Sequence, residues 1–98
     1  MIETEIIELK NGAALGFRHL LGNRPPWLLI IQGENGYLAT EYINKEFASR
    51  VGDAFAIVSN ASNFEEMLKG EVTWVSEKAK ELGVELGMSG EEALEYLV

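Results

Sequence analysis

The stretch "YLATEYINKEFASRVGDAFAIVS", residues 37–59, decides the fold, because the spacing of its apolar side chains changes midway. From Tyr37 to Ile43 the alternation is weak but strand-like. From Asn44 the period lengthens. Phe47, Ala48 and Val51 lie one helical face apart, which predicts a helix of about two turns with Asn44 as N-cap and Gly52 as terminator. Asp53 to Ser59 then reads as a buried strand.

Upstream of this switch the chain reads as strands. In "IETEIIEL", Ile2, Thr4 and Ile6 alternate with Glu3, Glu5 and Ile7, so one side is available for burial and the other for water. Asn11-Gly12 is a pair suited to the positive φ angles of a tight hairpin turn. "AALGFRHLL", residues 13–21, is the returning strand, and Gly16 within it signals a bulge or a close approach. "GNRPP" is a loop, since Pro25 and Pro26 supply no backbone donors. "WLLIIQG" is apolar on both sides, as a central strand covered on two faces would be. It pairs across the turn "ENG" with the strand from Tyr37, giving either two successive hairpins or one four-stranded meander.

Downstream, helix signals dominate. "SNFEEMLKG" opens on a capping box in which Ser62 and Glu65 bond each other's amides, and Phe64, Met67 and Leu68 form its apolar stripe. "EVTWVSEKAKELG" places Val72, Val75, Ala79 and Leu82 on one helical face, which predicts a helix from about Thr73. Its first four residues also favour extended backbone, so a strand there is the alternative. Ser89 and Glu92 form a second capping box ahead of Ala93, Leu94 and Leu97. The expectation is therefore an α+β fold in one domain spanning residues 1–98. It starts with an N-terminal antiparallel β meander of about four strands, followed by a helix, a further strand and about three short C-terminal helices.

Several chemistries are excluded. Gly83, Gly87 and Gly90 suggest a phosphate cradle, but Glu91 and Glu92 fill the following first turn and no lysine follows Gly90. These glycines read as punctuation between helices, and no cofactor is expected. There is no cysteine and a single histidine, His19, so neither a thiolate site nor a two-histidine metal site can form unless subunits share it, and the calcium-loop pattern of carboxylates is missing. A net charge of −8 repels nucleic acid and anionic membranes alike. The longest apolar run, Trp27 to Ile31, is too short to span a bilayer, and the acidic start is unlike a signal peptide. The chain reads as cytoplasmic.

Two polar clusters close apolar strands, "GYLATEY" and "VSNASN". Thr40, Glu41, Tyr42, Asp53, Ser59 and Asn60 are the candidate ligand-binding residues, with Asn63 nearby, if the two strands adjoin. Local turn chemistry is the plainer explanation of these side chains. The glutamates at 65–66, 91–92 and 95 read as caps and solvated helix faces. No catalytic residue is assigned.

"SNFEEMLKGEVTWVSEKAKELGVELGMSGEEAL", preceded by "DAFAIVSNA" and "GYLATEYI", resembles the YunC-like family of small bacterial and archaeal proteins of unknown function. The likeness is strongest from Asp53 to Leu97 and most specific in "ELGVELGMSGEEAL". It implies an α+β fold and a homo-oligomer assembled largely through the N-terminal β region, and it implies no activity. Relatives typically carry a cysteine followed by glycine where this chain has Thr40 and Glu41. Any chemistry of that thiol is closed to this chain, which favours a structural or binding role.

The expectation is a homo-oligomeric interaction or small-ligand-binding module whose partner is itself, a trimer or tetramer being among the closures open to it. The alternative is an enzyme with a site shared between subunits, built from His19, Asp53, Thr40, Glu41 and Asn60.

Overall fold

The computed structural model describes residues 2–19 and 27–98. Strands β1 (Ile2–Glu8), β2 (Ala13–His19), β3 (Leu28–Gln32) and β4 (Tyr37–Ala39) form one antiparallel meander, the second of the two arrangements left open above. Helix α1 (Lys45–Arg50) then carries the chain to β5 (Phe55–Val58), which runs parallel to β4. Next come α2 (Phe64–Lys69), β6 (Val72–Val75), α3 (Glu77–Leu82) and α4 (Gly90–Leu94), with β6 antiparallel to β5. Among the described residues the six strands make one sheet whose spatial order is the chain order.

One face of this sheet is covered by the C-terminal helices. Leu29, Ile31, Leu38, Ala56 and Val58 point there and pack with Met67 of α2, Ala79 of α3 and Ala93, Leu94 and Leu97 of the last segment. The opposite face carries a smaller cluster of Ala39, Phe55 and Ile57 beneath Ala48 of α1. Gly90 starts α4 where a Cβ would stand 2.1 Å from the Met67 carbonyl oxygen, so the glycine lets two helices meet. Gly83 ends α3 in the left-handed region (φ 114) and is punctuation as expected.

The predicted N-cap of α1 is present, with Asn44 Oδ1 accepting the Phe47 amide at 3.0 Å. Four sequence expectations need correction. The helix expected from Thr73 begins only at Glu77, because Val72–Val75 is strand β6. The pairing with β5 shifts register between Ile57 and Val58, and Val72 and Val75 are both buried in the core. Their three-residue spacing imitates a helical face. The N-cap of α2 lies one residue later than expected and the reciprocal bond of a capping box is not made: Asn63 Oδ1 accepts the Glu66 amide, while Glu66 Oε1 accepts the amide of Ser62, the residue before the cap.

The third correction is to α1. Of its expected apolar stripe only Ala48 is buried, and Phe47 and Val51 are 59% and 58% exposed. The fourth is to β1. The core side of this strand is the one carrying Ile7, while Ile2 and Ile6 are 63% and 66% exposed. The strand β3 is likewise fully buried on one face, through Leu29 and Ile31, and half-buried on the other. Gly16 makes the close approach rather than the bulge, since the β1–β2 and β2–β3 registers are unbroken and the Phe64 ring occupies the space of a Cβ. Residues 20–26, which include the predicted end of the second strand and the proline loop, lie outside the described residues. No helix among the described residues is long and apolar enough to cross a membrane.

Candidate functional site

The parallel pair β4–β5 has polar groups at both ends, and the sequence candidates are divided between them. At the leaving end, Thr40 follows β4 and is completely buried. Its hydroxyl donates to the Trp27 carbonyl at 3.0 Å and accepts the Leu29 amide at 3.3 Å. That hydroxyl is a fastener between β3 and β4, and it presents nothing to a substrate. Glu41 accepts the Asn60 amide through both carboxylate oxygens, at 3.2 and 3.3 Å. Asn60 has φ 65, a left-handed conformation that asparagine tolerates better than most residues. The Ser59 and Thr73 hydroxyls are 3.1 Å apart, and Thr73 also donates to the Ile57 carbonyl. Tyr42 is 45% exposed. Thr40, Glu41, Ser59 and Asn60 thus do adjoin, and the bonds they make are those of turns and strand ends.

Asp53 is at the entering end of the same pair, where the turn after α1 leads into β5. Six residues of chain separate it from Asn60, roughly 20 Å of extended backbone. Its Oδ2 accepts a 2.6 Å hydrogen bond from the Tyr37 hydroxyl. Burial, the bond to Asp53 and the charge of that carboxylate together push the Tyr37 phenol well above its ordinary value. Tyr37 therefore stays a neutral donor, and the pair gives a fixed dipole rather than a base. The ring stacks on Phe55 at 5.3 Å, Phe55 packs against Trp74 at 5.0 Å, and the Lys45 ammonium lies 5.7 Å from the Trp74 ring centre. A cleft of about 540 Å³ opens beside the pair, lined among others by Gln32, Glu34, Lys78 and Glu81. Sequence reasoning missed its lining because Gln32, Tyr37 and Lys78 come from separate elements with no shared motif.

His19 ends β2 opposite Leu28. It is thus at the sheet end where Thr40 lies, two strand spacings away, or roughly 10 Å. Asp53 is at the other end with its carboxylate engaged by Tyr37. A Ser-His-Asp arrangement is not assembled within one chain, and the five residues of the shared-site alternative do not converge in it. No group of three histidine, cysteine, aspartate or glutamate side chains among the described residues is placed to hold a metal ion.

The apolar side of β1, which the sequence reading marked as available for burial, belongs to an exposed surface. Across β1, β2 and β3 the register lines up Ile6 with Leu15, Thr4 with Phe17 and Ile30, and Ile2 with His19 and Leu28. These side chains share the face on which α1 lies, but α1 covers only the β4–β5 part of it. The alternation of Ile2, Thr4 and Ile6 was the available signal, and it marks a face for burial that the described residues of one chain leave open.

Among the described residues these observations define an α+β chain with a six-stranded sheet, helices on one face and half of the other face uncovered. Residues 36–97 match the model of the family described as Domain of unknown function (DUF1805), and the chain belongs to that family. This agrees with the YunC-like resemblance of the same region. The crystal structure of a protein of unknown function, TA1206, from Thermoplasma acidophilum is similar over 100% of this chain and 94% of that one, with a TM-score of 0.92 and 28% sequence identity. Among curated proteins none matches this chain.

Proposed function

We infer that the protein is a cytoplasmic self-associating module, which buries the bare face of β1–β3 against a second copy of the chain. One observation carries this. Ile2 and Ile6 are each more than three-fifths exposed in a row of apolar cross-strand neighbours, on a strand whose alternation is that of a half-buried one. Three strands about 4.8 Å apart and some 20 Å long present a footprint of roughly 300 Å², the scale of the largest apolar patch on a typical monomer, which is often functional.

The charge pattern favours a copy of itself over a nucleic acid or an anionic surface. Each chain carries −8, so two copies repel wherever their charged surfaces meet. The Ile6–Leu15 and Thr4–Phe17–Ile30 rows carry no charge, and on this face of β1 the one carboxylate, Glu8, stands at the end of the strand, so two such chains can meet over its middle with few facing charges. Self-association of this kind strengthens with added salt, because screening removes the repulsion and leaves the apolar contact.

Sedimentation velocity at micromolar concentration tests the reading. Wild type is expected to sediment as an oligomer, more so at high salt. Leu15→Asp, which places a charge in the contact, is expected to weaken association roughly 100-fold or more. A wild type that is monomeric at these concentrations overturns the reading.

A further inference from the structure

We propose that the cleft beside Tyr37 and Asp53 binds a small zwitterion carrying a second cationic group, a basic amino acid of the lysine type. The inference concerns a different part of the molecule from the self-association and does not require it.

Three segments that are fixed within the chain wall the cleft. The β3–β4 turn is closed by the Gly33 amide, which donates to the Gly36 carbonyl at 2.8 Å, and the Asn35 amide ties it to the Leu97 carbonyl, also at 2.8 Å. A Cβ at Gly33 would collide with that Leu97 carbonyl, and one at Gly36 with the Ala54 carbonyl, so two glycines let the turn lie close against both neighbours. The entry to β5 forms the second wall, with the Tyr37 amide donating to the Ala54 carbonyl at 3.1 Å. The third wall is α3, anchored at its start where the Phe55 amide donates to Ser76 Oγ and the Ser76 amide donates to the Phe55 carbonyl, both at 3.0 Å. A site formed in advance loses little of a ligand's affinity to the ordering of loops.

The charges identify the ligand. Asp53 is half-buried, and the Tyr37 hydroxyl engages its Oδ2. A carboxylate has room for about four hydrogen bonds, and among the described residues this one has no ion-pair partner. Lys78 lines the same cleft from α3 and likewise makes no ion pair among the described residues. Glu81 stands one turn further along α3, but a lysine preceding a glutamate is the weaker order of such a pair, and the ion pair of this helix is Glu77–Lys80 instead. Opposite charges thus line different walls of one cleft without meeting. A molecule that carries both charges satisfies each of them, its carboxylate on Lys78 and its α-ammonium on Asp53.

The surplus charge selects the rest of the ligand. Glu34 and Glu81 also line the cleft, so carboxylates outnumber the ammonium after that exchange. A cationic side chain is favoured there, and an acidic one meets like charge. Leu82, beside Lys78 and Glu81 in the lining, offers an apolar contact to the methylene stem of such a side chain. The volume of about 540 Å³ lies within the range of small-molecule sites and leaves room for bridging water.

Isothermal titration calorimetry at low ionic strength tests the proposal with four probes. L-Lysine is expected to bind with a dissociation constant on the order of 1 mM or below. Cadaverine lacks the carboxylate and 6-aminohexanoate lacks the α-ammonium, and each is expected to bind roughly fivefold or more weakly. L-Glutamate is expected to give no binding. Lys78→Gln should lower L-lysine to the level of cadaverine without weakening cadaverine itself, and Lys78→Arg should restore it. Asp53→Asn, which keeps an oxygen for the Tyr37 hydroxyl, should weaken L-lysine and cadaverine alike. Amide chemical-shift changes in residues 33–37, 53–54 and 78–82 would place the ligand in the cleft.

Cadaverine binding as tightly as L-lysine, with Lys78→Gln having no effect on either, overturns the proposal in favour of diffuse attraction to an acidic surface. Absence of both heat and shift changes with L-lysine at about 10 mM removes the site altogether. Neither result bears on sedimentation, and a monomeric wild type leaves the cleft as it is, so the two readings fail separately.

Discussion

The two halves of one sheet face make the most instructive comparison in this molecule. The row Thr4–Phe17–Ile30–Ala39–Ile57–Trp74 runs without interruption through all six strands. At its β4–β5 part, beneath α1, Ala39 and Ile57 are buried and the adjoining Phe55 is inaccessible. At its other end, in β1 to β3, Thr4 is exposed and Phe17 and Ile30 are half-buried. The side chains are of similar kind, and the difference is what lies above them. Apolar patterning says that a face is to be buried, but it does not say by what.

The largest expected effect follows from that contrast. Phe55→Ala removes a fully buried ring lying between Tyr37 and Trp74 and is expected to cost about 3–5 kcal/mol in urea unfolding. Phe17→Ala, in the bare half, is expected to cost a dilute, monomeric sample less than half as much, and to act chiefly on sedimentation. Equal losses of folding stability would break the comparison.

A smaller effect is expected at the seam between the halves, where Thr40 fastens β4 to β3. Thr40→Val keeps the shape but leaves the Trp27 carbonyl and Leu29 amide without their hydroxyl partner, for a loss of about 1–3 kcal/mol. Thr40→Ser should recover most of it, because the hydroxyl returns. A valine variant as stable as wild type would mean that the hydroxyl bonds do not hold the seam.

The smallest is expected at the rim of the covered half. Tyr37→Phe removes one partly solvated hydrogen bond, worth about 0.5–1.5 kcal/mol. The folded protein holds the Tyr37 proton more tightly than the ordinary value of 10.0. The contribution is therefore complete below that pH and is lost as pH rises through the folded-state value. Thermal melts taken across this alkaline range should show wild type losing stability faster than Tyr37→Phe. Parallel curves would remove the coupling to Asp53.

Much of the fold was legible because its signals are local. Asn44 and Ser89 cap helices through their own side chains, Gly83 ends one, and the turn at Asn11-Gly12 joins β1 to β2. Strand β6 was harder to read because a register shift gave Val72 and Val75 the spacing of a helix. At the candidate site, Glu41 and Asn60 lie together because each follows a strand of one parallel pair. The Tyr37–Asp53 bond was not foreseen, because it depends on the path of the chain through α1.

Composition and local order by themselves determined an acidic, cysteine-free α+β chain, most of its element boundaries, and the absence of metal-ligand and phosphate-loop patterns. Those properties rest on charge, side-chain chemistry and bonds between near neighbours along the chain. Only the tertiary structure decided which side of β1 meets the helices, how far α1 reaches across the sheet, and that the Tyr37 hydroxyl meets Asp53. Burial is a relation between segments distant in sequence. A strand can present two usable faces, and the rest of the chain settles which one it covers.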